Sequence, residues 1–70
     1  MAEKNLVNTL KVQRARKDLT QEELAELVQV TRKTINTVEN GVYIPSTYLA
    51  LKLAKALGVT VEELFQIKEG

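Results

Sequence analysis

Apolar positions along the chain recur at helical spacing in short bursts, each opened by a small hydroxyl or amide side chain and most closed by glycine or a polar pair. In Thr20–Gly41, TQEELAELVQVTRKTINTVENG, Leu24, Ala25, Leu27 and Val28 mark the inner face of one helix, and Ile35 and Val38 that of a second. Thr20 with Glu23 forms a capping box, in which the threonine hydroxyl accepts from the Glu23 amide while the carboxylate reaches back to the Thr20 amide. Thr31 caps the second helix, which runs to Asn40. Gly41 supplies the left-handed residue that ends it.

The same punctuation divides the rest of the chain. Asn8 is placed to cap a first helix ending near Lys17, with Leu10 and Arg14 one turn apart on one face, and Leu19 then enters the core. The loop Val42-Tyr43-Ile44-Pro45 leads to Ser46, cap of a fourth helix that Gly58 closes. Thr60 and Glu63 form a second capping box for a last short helix through Leu64 and Phe65. Five helices of six to twelve residues with short loops predict a compact all-α bundle, one domain spanning 1–70. Lys4–Val7 and Phe65–Lys68 are too short to assign: they fray, or they pair as a two-stranded β ribbon joining the termini.

In the fourth helix Leu49, Ala50, Leu53 and Leu57 share the core face, and Tyr48, Leu51 and Lys55 fall on the other side. Tyr48 and Leu51 at i, i+3 fit a subunit contact, or are scattered surface apolar residues of no special meaning.

Composition supports this reading and removes several functions. Hydrophobic residues at 44% and charged residues at 27% describe a folding chain. With neither cysteine nor histidine, disulfides, thiolate chemistry and histidine-based zinc sites are excluded, and no cofactor is expected. No apolar run approaches a membrane span, and the start lacks a signal-peptide core, which points to a soluble cytoplasmic protein. The net charge of +1 does not itself imply nucleic acid. Its distribution is uneven: Lys4, Lys11, Arg14, Arg16 and Lys17 load the first twenty residues with base, whereas Glu22, Glu23 and Glu26, and later Glu62, Glu63 and Glu69, are acidic. That pattern builds a basic face opposite an acidic one, or an ordinary mixed surface.

A helix, a turn of three or four residues and a second helix is the geometry that sets a helix into the DNA major groove. On that view Gln21, in the first turn of the first motif helix, meets a phosphate. Thr31, Arg32 and Lys33 start the groove helix: Arg32 suits guanine O6 and N7, and Lys33 a guanine or a phosphate. Asn36 suits adenine N6 and N7, Thr37 a thymine methyl or a phosphate, and Asn40 the backbone. Arg14 shares a face with Leu10, and Glu39 neighbours Ile35 and Val38, so an arginine–carboxylate fork tying the first helix to the groove helix would satisfy both charges. An enzyme is not expected: the carboxylates sit at helix starts, and the chain is too short for a sizeable pocket.

The segments TQEELA, TINTVENG and ALGVTVEELF, spaced as they are here, resemble the phage-repressor-like helix-turn-helix family (lambda, 434 and Cro-type regulators) over roughly residues 9–66, and above all its small stand-alone members such as the cytolysin-operon repressor. The resemblance implies a five-helix DNA-binding domain and a homodimeric transcriptional regulator, a repressor acting on a palindromic operator. It carries phosphate contact onto Gln21 and Asn40, groove contact onto Thr31, Arg32, Lys33, Asn36 and Thr37, and the internal ion pair onto Arg14 and Glu39. The small repressors also suggest the terminal ribbon. The rival reading is an antitoxin or adaptor of the same fold whose main partner is a protein. Departures are few: Gln29 stands where many members have glycine in the turn, and Gln13 and Thr47 stand where leucine is common.

Overall fold

The computed structural model describes residues 6–68. Its elements run β1 (Leu6–Asn8), α1 (Leu10–Arg16), α2 (Gln21–Val28), α3 (Arg32–Glu39), α4 (Thr47–Leu57), α5 (Val61–Leu64) and β2 (Phe65–Ile67). The expected all-α bundle forms, together with the ribbon: β1 and β2 pair antiparallel in the register Leu6 to Ile67, Val7 to Gln66 and Asn8 to Phe65. Lys4 and Asn5, at the start of the expected strand, lie outside the described residues. No helix among those described is long and apolar enough to cross a membrane.

Each helix begins where a side chain can replace the missing carbonyls. Thr20, Thr31, Ser46 and Thr60 accept from the amides of Glu23, Thr34, Leu49 and Glu63, and both capping boxes close, with the Glu23 and Glu63 carboxylates 2.8 Å from the Thr20 and Thr60 amides. The first helix is the exception. Asn8 belongs to β1, and Thr9 occupies the cap position without a side-chain bond to the helix amides, its hydroxyl donating instead to the Glu63 carbonyl at 2.8 Å. Asn8 still serves the helix start from the strand: its Oδ1 accepts from the Leu10 amide at 3.0 Å. Phe65 likewise leaves the last helix to begin β2, since its extended backbone (φ −126°, ψ 135°) is what the ribbon needs.

Four helices end alike. Asp18 (φ 58°), Gln29 (φ 62°), Gly41 (φ 75°) and Gly58 (φ 70°) each take the left-handed conformation. The amide of each bonds three residues back, and the next amide (Leu19, Val30, Val42, Val59) bonds to the carbonyl of Arg14, Ala25, Thr37 or Ala54 at 2.9–3.0 Å. This is the Schellman arrangement, and it brings Leu19, Val30 and Val59 against the core, whereas Val42 stays exposed.

Leu10, Leu24, Val28, Ile35, Val38, Leu53, Leu57 and Leu64 are all but fully buried, one or more from every helix, with Ala25, Leu49 and Ala54 closing the core. Leu19 packs at its edge. Leu27 does not join its expected partners and stays exposed. At 3.6 residues per turn, Leu24, Ala25 and Val28 span one narrow arc, and Leu27 falls about 100° from its centre. α2 packs on α3 and α4, fixing the groove-helix candidate against the bundle.

Candidate nucleic-acid interface

Thr31 caps α3, accepting from the Thr34 amide at 3.2 Å, and its hydroxyl lies 3.0 Å from that of Thr34. The helix then turns Ile35 and Val38 into the core, which leaves Arg32, Lys33 and Asn36 exposed on the opposite arc. These three line one shallow depression of about 250 Å³. Thr37 flanks it, half-buried, with its hydroxyl donating to the Thr34 carbonyl at 2.9 Å. Asn40 caps the far end of α3.

Behind this face runs a polar network anchored in the fold. Arg14 Nε donates to Glu39 Oε2 at 2.7 Å and Nη2 to Oε1 at 3.4 Å, while Nη1 reaches the Leu19 carbonyl at 2.8 Å. The pair is largely withdrawn from water, with side chains 15% and 5% exposed. Forked geometry and the extra carbonyl satisfy most of the guanidinium, as burial of such a pair requires. Gln21, from the first turn of α2, also donates to Glu39 Oε1 at 3.0 Å and to Asn36 Oδ1 at 3.3 Å. Asn40 Nδ2 donates to the same Asn36 oxygen at 3.3 Å. α1, α2 and α3 are thus joined through one carboxylate.

The structure gathers Gln21, Asn36, Asn40, Arg14 and Glu39 into this network, and Arg32, Lys33 and Asn36 onto the open face. Tyr48 and Leu51 sit elsewhere, exposed on α4. The Gln21 amide nitrogen is engaged by Glu39 and Asn36, so its open groups are its side-chain oxygen and the main-chain amides of the first α2 turn, which precede the first intrahelical bond. Asn8 does more than the helix-start role expected of it: besides accepting from the Leu10 amide, it donates to the Val38 carbonyl at 3.0 Å, pinning the ribbon to the end of α3. Its one signal was an amide side chain beside a helix start, which does not reveal a bond to a residue thirty positions away.

Two helices joined by a left-handed turn, the second with a basic and amide-bearing outer face, define a DNA-binding helix-turn-helix. Sequence comparison agrees, since the profile of the helix-turn-helix family matches residues 10–64. The chain belongs to that family, whose members here are transcriptional regulators. It is 45% identical over 62 residues to the uncharacterized HTH-type transcriptional regulator YgzD of Bacillus subtilis, covering 89% of this chain and 94% of that one. It is 50% identical over 58 residues to an uncharacterized HTH-type transcriptional regulator of Methanocaldococcus jannaschii, covering 83% and 88%. Among solved structures, the restriction-modification controller protein C.AhdI from Aeromonas hydrophila superposes with a TM-score of 0.73 at 39% identity, covering 77% of this chain and 78% of that one. The clp gene regulator ClgR from Corynebacterium glutamicum gives 0.73 at 33% identity; 77% of this chain matches, and it spans 57% of ClgR.

Proposed function

We propose that this protein is a sequence-specific double-stranded DNA-binding repressor of the cytoplasm that occupies a palindromic operator as a homodimer. The observation that carries the reading is the grouping of Arg32, Lys33 and Asn36 on the open arc of α3, backed by a network that holds the helix in place. Arg32 and Lys33 reach base edges, Thr31 and Thr37 flank them, and α3 enters the major groove by its N-terminal turns. Phosphates meet the first-turn amides of Gln21 and the second amide hydrogen of Asn40. Repression follows from occupancy of promoter DNA. The two α3 helices of the dimer would read half-sites about 34 Å apart.

The second copy is assigned to an apolar depression of about 520 Å³ lined by Leu6, Ile44, Pro45, Ala50, Leu51 and Phe65 among others, next to Tyr48. The antitoxin or adaptor reading would give that surface to another protein.

Selection of duplexes from a randomised pool, with the mass of the complex measured alongside, tests the proposal. The expected result is an inverted repeat bound by two chains, with affinity falling steeply as salt rises. Arg32→Ala should flatten the preference at one position per half-site, about 1–3 kcal/mol of discrimination. Failure to enrich any sequence would refute the DNA reading and favour a protein partner.

A further inference from the structure

The network behind α3 does more than hold it: it fixes which way the Asn36 amide faces. We infer that Asn36 presents only hydrogen-bond donors to the groove and therefore selects guanine, not the adenine that a free asparagine pairs with. This rests on the reading of α3 as the groove helix.

The polarity follows step by step from one ion pair. Glu39, forked onto Arg14, is a carboxylate and can only accept. The Gln21 atom 3.0 Å from Glu39 Oε1 must then be its nitrogen. That nitrogen has two hydrogens, and its second partner, 3.3 Å away on Asn36, must be an acceptor, so it is Oδ1. Asn40 meets the same oxygen at 3.3 Å and must also donate. Both lone pairs of Asn36 Oδ1 are thereby engaged, and the outward group of this exposed residue is its NH2. Turning the amide over would set nitrogen against nitrogen at Gln21 and, unless Asn40 also turned, a second time there.

Bidentate pairing with adenine needs one acceptor and one donor from the same amide, for N6–H2 and N7. Asn36 has no acceptor left to offer. Guanine shows two acceptors, O6 and N7, and matches the NH2 group with both hydrogens. Cytosine shows only the N4 donor and is refused; thymine O4 and adenine N7 accept a single bond. Arg32 and Lys33, which share the depression with Asn36, are also donors without acceptors. The whole depression reads acceptors, and the half-site it fits carries guanine at the positions it covers. Gln21 is the positioning residue: Asn40 makes no bond to Glu39 and its amide can turn with Asn36, whereas Gln21 is held by the carboxylate.

The test is selection from a randomised duplex pool by the wild-type protein and by Asn36→Ala, Gln21→Met and Asn36→Asp. Asn36→Ala identifies the position read, as the one whose preference disappears. There the wild type should enrich guanine over adenine about tenfold, the scale of one good base contact. Gln21→Met, which keeps side-chain length and removes the donor, should admit adenine at that position alone. Asn36→Asp turns the outward group into an acceptor and should shift the choice from guanine to the bases with a donor, cytosine (N4) and adenine (N6). Enrichment of adenine by the wild type, or the same profile from wild type and Gln21→Met, overturns the inference. An enriched operator whose profile survives Asn36→Ala overturns it while leaving the DNA-binding reading intact. Absence of any enriched sequence overturns both.

Discussion

Glu39 accepts three hydrogen bonds at 2.7–3.4 Å and is 5% exposed, so one nearly buried carboxylate ties α3 to both α1 and α2. Glu39→Ala would leave the Arg14 guanidinium largely buried with the Leu19 carbonyl as its remaining partner. Stranding one member of a buried pair costs about 3–5 kcal/mol. For a domain of this size each kcal/mol moves the melting temperature by about 4–8 °C, so the variant should melt more than about 10 °C lower. Circular dichroism melting decides it; an unchanged curve would mean the pair adds nothing to the folded state. Arg14 and Glu39 were legible in the sequence because a charge beside buried neighbours such as Leu10 and Val38 needs a partner. Gln21 was half legible. Its place at a helix start could be read, but its reach across to Glu39 depends on how closely α2 and α3 pack, which no local pattern encodes.

Helix ends were the best-written part of the sequence and also where it was misread. Hydroxyl caps at Thr20, Thr31, Ser46 and Thr60 satisfy amides that a helix start leaves open, and all four stand where expected. Asn8, expected at a cap, and Phe65, expected either at a helix end or in the ribbon, both belong to the strands, because pairing between the two ends of the described chain outweighs local capping, and that pairing is non-local. Left-handed ends were legible at glycine and much less so at Asp18, whose short polar side chain tolerates the conformation without announcing it. Gln29 is the costly case, a long side chain held at φ 62°. A left-handed residue with a Cβ costs about 1–2 kcal/mol, and the added freedom of glycine in the unfolded chain returns about 0.4–1 of that. Gln29→Gly should therefore stabilise by about 0.5–1 kcal/mol and raise the melting temperature by about 3–5 °C. Gly58→Ala runs the argument in reverse. A Cβ there meets nothing nearer than Lys17 Nζ at 3.6 Å, so its loss of about 1 kcal/mol would be backbone strain rather than a clash. Melting curves of equal midpoint for Gln29→Gly and wild type would show the turn to be unstrained.

Across the whole molecule, the proposed reading face (Arg32, Lys33 and Asn36) and the apolar depression are lined by different residues, so the proposed DNA contact and the proposed pairing of subunits can be tested by separate mutations. Ile44 and Leu51 are about half exposed at that depression, and Tyr48 stands beside them with the Lys52 ammonium 4.8 Å from its ring centre. Contiguous apolar surface of this kind on a small domain marks a site that something covers, and the proposed homodimer on a palindromic operator would seat a second copy there. Leu51→Asp tests this without touching the core, because Leu51 points away from Leu49, Leu53 and Leu57. A carboxylate buried without a partner in an apolar interface is strongly disfavoured, so the dimer should dissociate at least about a hundredfold more readily. The melting curve of the isolated domain at low concentration should stay within a few degrees of wild type. Sedimentation across a concentration series should then show the mass of one chain where the wild type shows two. Affinity for a full palindrome should fall to that for a single half-site, since two linked contacts gain from effective concentration and one does not. Tyr48→Ala should act in the same direction but less, its ring already being engaged by Lys52. If Leu51→Asp keeps both the wild-type mass and full operator affinity, this face of α4 does not join the subunits, and the depression belongs to a different protein partner.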